Sequence, residues 1–165
     1  MADKNRPLRL GMHTYTLHFF GFGESWGFGK DYYFEHGLFL EFNSSFHAGS
    51  DSRVNCTVKE ALQIGHELGA ELVKFSLDIL RPRELYGSWM HPQVMSQMVD
   101  RYNEFQAAIP LIEELGMQVA IENHTDTFSQ EILWIGDKLN HPLIGTCVDT
   151  MNCLYITENP YDTME

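Results

Sequence analysis

The stretches VAIENH at residues 119–124 and IGTCVDTMN at residues 144–152 decide how this chain is expected to fold. Each begins with the apolar and β-branched residues typical of a buried strand and turns polar at its end, at Glu122 and at Asp149. A helical pattern that opens at Thr127 lies between them. This part of the sequence therefore predicts a strand, a helix and a second strand in succession.

The same alternation covers the preceding part of the chain. Patterns of apolar residues predict strands at RLGMHTYTL (residues 9–17), LFLEFN (38–43) and ELVKFSL (71–77), and helices at residues 57–68 and 93–115, the second kinked or split at Pro110. Strands that alternate with helices of ten or more residues pair in parallel through right-handed crossovers. The predicted class is therefore α/β, with a parallel sheet of about five strands.

Polar residues end every predicted strand. They are His13, Glu41, Asn43, Lys74, Ser76, Glu122, Asn123, His124, Asp149 and Asn152. Polar groups at the ends of strands that are buried on both faces destabilise the fold unless they are paired or bind something. Such groups collect at the carboxyl rim of a (β/α)8 barrel, where that fold assembles its active sites. An open dinucleotide-binding sheet is disfavoured, because GFGESWGFG at residues 21–29 lacks the required glycine spacing.

The composition restricts the partners and the compartment. The chain has 165 residues with 23 acidic and 11 basic side chains, and a net charge of −12 disfavours binding to nucleic acid. Its three cysteines form no C-x-x-C pair, so we expect neither a disulfide framework nor a zinc knuckle. Residues 1–9 have no apolar leader, and no stretch approaches the roughly 18 apolar residues of a membrane span. We therefore expect a cytoplasmic protein without a membrane partner.

Glu122 and Asp149 occupy equivalent positions on consecutive predicted strands. Because neighbouring strands lie about 4.8 Å apart, the two carboxylates are able to converge on one ion. Hard oxygen donors of this kind suit Mg²⁺, Mn²⁺ or Co²⁺. In the alternative interpretation, each carboxylate caps the following helix or pairs with a neighbouring Lys or Arg. The pattern alone leaves both interpretations open.

Three further residues are candidates for contacts to a substrate. His124 shares the face of Glu122 in an extended chain, and its alternative role is that of a partly buried hydrogen-bonding residue. His13 points from the first strand towards the same rim, where it is placed to hydrogen-bond a substrate hydroxyl. Lys74 either neutralises a phosphate or an enolate or pairs with Glu41 on the adjacent strand, and the pairing is the favoured interpretation.

Taken together, LGMHTYTL at residues 10–17, VAIENH, and IGTCVDTMN followed by ENP resemble the xylose isomerase-like TIM barrels, the sugar phosphate isomerases and epimerases. The most specific part is an E-N-H strand end followed, one βα unit later, by a D-T-x-N strand end that closes at Asn152. The resemblance adds Asn152 to the substrate-contact candidates. It implies a metal-dependent isomerase or epimerase in the metabolism of sugars or polyols.

The resemblance also implies a ligand set and a mechanism. In that family a divalent cation (Mn²⁺, Mg²⁺ or Co²⁺) is held by Glu, Asp, His and Glu from the last four strands, which places Glu122 first and Asp149 second. By analogy Glu122 is also the acid/base residue that moves a proton next to a carbonyl. The cation would stabilise the charge that develops on the enediolate.

The sequence departs from the family pattern in two places. Only about twenty residues separate the first strand from LFLEFN, where a barrel needs a further βα unit, and no His and Glu follow as third and fourth ligands. A complete barrel takes about 250 residues. Residues 1–165 are therefore expected to form a single incomplete barrel domain, with little or no activity unless partner strands complete it in a homo- or hetero-oligomer.

Other functions remain open at this point. One alternative is a non-catalytic or partner-completed subunit of a heteromeric complex, such as an enzyme that cleaves C-glycosides. An inosose-type dehydratase would begin with the same proton abstraction. A DNA-repair endonuclease of the same barrel superfamily is disfavoured by the charge of −12.

Overall fold

The computed structural model of the protein describes residues 11–13, 35–46 and 56–164, and for residues 11–13 it describes the backbone. The elements in chain order are the strands β1 (Gly11–His13), β2 (Phe39–Ser45), β3 (Leu72–Ser76), β4 (Gln118–Glu122) and β5 (Ile144–Cys147), interleaved with the helices α1 (Val58–Leu68), α2 (Pro92–Leu115), α3 (Ser129–Leu139) and α4 (Pro160–Met164). Short 3-10 helices cover Arg83–Leu85 and Asn152–Ile156. The loop predicted at residues 21–29 and the remainder of the first predicted strand lie outside the described residues.

All five strands pair in parallel, and their order in the sheet is their order in the chain. The register sets Glu41 beside Leu72, Lys74 beside Ala120, and Glu122 beside Cys147. A parallel sheet with helical crossovers confirms the predicted α/β class.

The helix termini follow the local sequence, with two differences from the prediction. Helix α1 begins after Thr57, whose side chain and that of Glu60 form a capping box, and it ends at Gly69 in the left-handed conformation. Helix α2 continues through Pro110, so the helix is not split at this residue, and the alternative of a kink stays a prediction. Helix α3 begins at Ser129, two residues after the predicted start at Thr127, and is capped through Glu131.

The two faces of the sheet have different chemistry because successive side chains of a strand point to opposite sides. One face carries the apolar side chains that form the core with α1, α2 and α3: Leu40, Phe42, Val73, Phe75, Val119 and Ile121. Phe75 packs edge-to-face on Phe105 of α2, with ring centroids 5.3 Å apart. The opposite face, here called the interior face, carries Glu41, Asn43, Lys74, Ser76, Ala120, Glu122, Gly145 and Cys147.

Close packing of α1 on the sheet depends on Gly65. A Cβ atom at this position would lie 2.9 Å from Cγ2 of Val73.

In the part of the chain that the structure describes, no helix combines the length and apolar character needed to cross a bilayer.

Candidate functional site

Glu122, the last residue of β4, is a buried carboxylate on the interior face with 6% of its surface exposed. Its Oε1 lies 2.9 Å from Nζ of Lys74, and its Oε2 accepts a hydrogen bond of 3.2 Å from the hydroxyl of Ser76. Both partners come from the neighbouring strand β3. The ion pair and the hydrogen bond offset the desolvation of the carboxylate and fix its orientation.

Lys74 has a different partner from the one that the sequence favoured. The favoured partner was Glu41, whereas the ion pair described above joins Lys74 to Glu122 on the opposite neighbouring strand. Glu41 lies within range of both charges. Its pKa is raised by burial, lowered by the charge of Lys74 and raised again by that of Glu122. The three residues therefore form one charged group on the interior face. Glu41 was not among the site residues predicted from the sequence.

Asp149 follows β5 by two residues and is held in place by Asn123. The side-chain amide of Asn123 donates to the carbonyl oxygen of Asp149 at 2.9 Å, and its Oδ1 accepts from the N–H of Asp149 at 2.6 Å. Oδ1 of Asp149 itself accepts from the N–H of Met151 at 2.9 Å. This last bond is the local turn contact typical of aspartate.

Cys147 lies on the interior face and is subject to several charged groups. It ends β5 directly beside Glu122. The pKa of its thiol is raised by burial, lowered by Lys74, and raised by Glu122, Glu41 and Asp149. A raised pKa leaves this thiol protonated and unreactive at neutral pH.

His124 lies in the loop after β4, half-buried, with Nδ1 at 3.5 Å from the hydroxyl of Thr125. Its charge acts on Asp126, a buried carboxyl whose pKa is raised to about 6, chiefly by burial. The N–H of Ile79 donates to Asp126, and this bond and His124 oppose the shift, whereas Asp78 adds to it. Sequence reasoning missed Asp126, because nothing in the strand pattern marks a carboxyl four residues after Glu122 as buried.

Two other predicted site residues are placed by their backbone. His13 ends β1 and is in register with Glu41 of β2. Asn152 begins the 3-10 helix after β5 and is half-buried. Their roles in binding a substrate stay predictions.

The donor chemistry of Glu122 and Asp149 fits a hard divalent cation. Mg²⁺ in particular keeps several waters and is held by one or two carboxylates. Within residues 11–13, 35–46 and 56–164, no group of three His, Cys, Asp or Glu side chains is arranged to hold a metal. The described residues therefore offer at most a two-carboxylate site, and the convergence of Glu122 and Asp149 on one ion stays a prediction.

Comparisons with known proteins address the fold. No family model matches the sequence. A 3-oxo-isoapionate decarboxylase from Pectobacterium atrosepticum is 22% identical over 90 residues, which cover 54% of this chain and 32% of that enzyme.

Solved structures resemble the chain over most of its length. A D-psicose 3-epimerase matches with a TM-score of 0.59 at 11% identity, over 93% of this chain and 57% of that one. A xylose isomerase domain protein from Planctomyces limnophilus matches with a TM-score of 0.59 at 14% identity, over 86% of this chain and 54% of that one. The 3-keto-D-glucoside 4-epimerase of E. coli matches with a TM-score of 0.59 at 11% identity, over 85% of this chain and 59% of that one.

The predicted resemblance to the xylose isomerase-like TIM barrels is confirmed at the level of the fold. The chain spans about half the length of these solved structures. The five described strands, parallel and in sequential order, therefore represent part of a (β/α)8 barrel.

Proposed function

We propose that this chain functions as a metal-dependent isomerase or epimerase of sugars or sugar phosphates, acting by proton abstraction next to a carbonyl. The observation that carries the proposal is the buried Glu122, which Lys74 and Ser76 hold at the carboxyl end of β4. Solved structures of the same fold include a D-psicose 3-epimerase and a 3-keto-D-glucoside 4-epimerase, which supports this reaction class.

Glu122 is the proposed acid/base residue. A carboxylate held by two fixed partners presents its oxygen atoms in one geometry, which is what transfer of a proton to and from a carbon atom requires. Lys74 stays beside it as a fixed positive charge throughout the transfer. The proposed contacts to substrate hydroxyl groups come from His13, His124 and Asn152.

Glu122 and Asp149 are the proposed ligands of a divalent cation such as Mn²⁺, Mg²⁺ or Co²⁺. When bound, the cation polarises the carbonyl group and stabilises the negative charge that develops beside it. Asn123 contributes by fixing the backbone of Asp149 against β4. Because Lys74 already engages Glu122 and the described residues supply two ligands at most, we expect weak binding and little turnover by the 165-residue chain alone.

Deuterium exchange tests the proposed chemistry more sensitively than turnover. The chain is incubated with D-fructose and Mn²⁺ in D₂O, and the incorporation of deuterium next to the carbonyl is followed by NMR after removal of the metal. We expect slow incorporation by the wild type and only the buffer rate with Glu122→Gln. Glu114→Gln, an exposed position on α2, is the matched control and should retain the wild-type rate. Equal rates for the wild type and Glu122→Gln would contradict the assignment.

A second candidate function is that of a subunit completed by another protein, such as the partner-dependent part of a C-glycoside-cleaving enzyme. The exposure of β5 favours it. Gly145 and Thr146 are exposed in this edge strand of the described sheet, and the following Val148 is 52% exposed. Unpaired edge strands associate readily with other chains. Light scattering separates the candidates, because a stable monodisperse monomer would argue against a subunit that needs a partner.

A further inference from the structure

Lys74 and Glu122 belong to successive rows of residues across the interior face of the sheet. The register sets Lys74 beside Ala120 of β4, and it sets Ser76, two residues further along β3, beside Glu122. The ion pair of 2.9 Å therefore runs diagonally, from Lys74 in one row to Glu122 in the next row towards the carboxyl end of the strands. A lysine from the preceding row thus places its ammonium group at the proposed acid/base residue.

Small residues leave room for Lys74 on this face. Its partner in β4 is Ala120, whose own partner in β5 is Gly145. A Cβ atom at Gly145 would meet no other atom within 4 Å, so the space beside this row is open. Neither Ala120 nor Gly145 has a side chain that could accept a hydrogen bond from the ammonium group. The charge of Lys74 is therefore directed to Glu122 in the next row and not to its own partners in the register.

The ammonium group already supplies a positive charge to Glu122. The side chains of Lys74 and Glu122 are 12% and 8% exposed, so water screens the pair weakly. The second oxygen atom of Glu122 accepts from Ser76, which leaves neither carboxylate oxygen without a donor. Among the described strands β1 to β5, Lys74 is the one Lys or Arg. A divalent ion on Glu122 would lie close to Nζ of Lys74, where like charges repel each other strongly.

We propose that Lys74 is the resident cation of this site, which neutralises Glu122 in the metal-free chain and limits the affinity of Glu122 for a divalent ion. The inference rests on the proposed function, in that it takes Glu122 as a metal ligand. It adds a residue of the chain that sets how tightly the metal is held. The ammonium group opposes the ion directly, because both positive charges act on the same buried carboxylate.

Metal titration of a lysine variant tests this role. The dissociation constant of Mn²⁺ is measured by electron paramagnetic resonance for the wild type, Lys74→Met and Lys74→Met/Glu122→Gln. Because Lys74→Met removes the opposing charge, we expect it to bind Mn²⁺ at least about tenfold more tightly than the wild type. The double variant should lose this gain, since it lacks the carboxylate. Lys138→Met, at an exposed position of α3, is the matched control and should keep the wild-type constant.

The metal should also restore stability to the lysine variant. Lys74→Met leaves Glu122 with only the hydrogen bond from Ser76, so its unfolding temperature should lie below that of the wild type. A ligand that binds only the folded state raises the unfolding temperature, so saturating Mn²⁺ should raise that of Lys74→Met more than that of the wild type. If Lys74→Met is unfolded without metal, the readout is the return of helical circular dichroism on addition of Mn²⁺.

The outcomes separate this inference from the proposed function. Equal affinity for Mn²⁺ in the wild type and Lys74→Met would overturn the inference, as would a gain that persists in the double variant or an unfolded Lys74→Met that Mn²⁺ does not refold. The proposed function would survive each of these results, provided that Glu122→Gln alone weakens the binding of Mn²⁺. If none of the proteins binds Mn²⁺, the metal site of the proposed function is itself contradicted and the inference falls with it.

Discussion

Asn123 holds Asp149 through both hydrogen-bonding groups of its side chain, at 2.9 Å to the carbonyl oxygen and 2.6 Å from the N–H. The contact joins the ends of β4 and β5 and involves the backbone of Asp149, so its carboxylate remains directed by the turn that follows. Asn123 is 3% exposed, which means that water cannot replace these bonds. The two proposed metal ligands are thus carried on strand ends that are fixed to each other.

Substitution of Asn123 by Ala should loosen this connection. The variant leaves the N–H and carbonyl of Asp149 without their partner, and loss of a buried hydrogen-bonding group costs about 1–3 kcal/mol. Urea unfolding should show this loss in the free energy of unfolding. The control is Asn103→Ala at an exposed position of α2, for which we expect no more than about 0.5 kcal/mol. A value for Asn123→Ala as small as that of the control would show that the contact does not stabilise the fold.

Substitution of Lys74 by Met should destabilise the fold, because it leaves Glu122 buried with only the Ser76 hydrogen bond. Breaking one side of a buried ion pair costs about 3–5 kcal/mol. The double variant Lys74→Met/Glu122→Gln removes both charges and should recover a large part of this loss. Thermal unfolding of the wild type, the two single variants and the double variant measures the coupling free energy between the side chains of Lys74 and Glu122. Additive effects of the two substitutions would contradict the pairing.

The stability of the protein should depend on the ionisation of Asp126. Burial raises its pKa from 3.8 to about 6, so the folded protein holds this proton more tightly than the unfolded chain. The corresponding stabilisation is complete below about pH 4 and is lost as the pH rises to about 6, with an upper limit of about 3 kcal/mol. Asp126→Asn keeps an acceptor for the N–H of Ile79. Its free energy of unfolding should therefore rise relative to that of the wild type as the pH increases across this window. A difference between the two proteins that does not vary from pH 4 to 7 would exclude the raised pKa.

Glu131 should be among the most sensitive positions outside the site. It is fully buried, lies 2.5 Å from Nη2 of Arg81, and accepts from the N–H groups of Met90 and Phe128. Glu131→Ala leaves the Arg81 charge buried without its partner, at a cost of about 3–5 kcal/mol. Glu131→Gln keeps the acceptor oxygen, so its free energy of unfolding should fall less than that of Glu131→Ala. Chemical denaturation measures both, and equal losses would mean that the charge of Glu131 does not matter.

Much of the fold follows from the periodicity of apolar residues. LFLEFN and VAIENH overlap β2 and β4, and ELVKFSL and IGTCVDTMN contain β3 and β5, because each strand is an apolar run with a polar end. Helix limits were less predictable. Pro110 remains inside α2, and α3 begins at Ser129 and not at Thr127, with a cap from Glu131, whose carboxylate Arg81 also holds.

The site was predictable in its location and less so in its contacts. Polar strand ends marked Glu122 and Asp149, but the partner of Lys74 depends on the register between strands, which the sequence does not specify. The roles of Asn123 and Asp126 depend on loops that approach each other only in the folded chain. Local patterns carry no signal for such contacts.

Glu122 and Asp149 are proposed to share one cation, and binding of Mn²⁺ tests this shared coordination. Electron paramagnetic resonance of free Mn²⁺ gives the stoichiometry and the dissociation constant for the wild type, Glu122→Gln, Asp149→Asn and the exposed control Asp137→Asn on α3. We predict one weak site in the wild type and the control, and an affinity at least about tenfold lower in each site variant, as expected for loss of a charged ligand. Absence of a site in the wild type, or a site that either substitution leaves intact, would contradict a cation shared by Glu122 and Asp149.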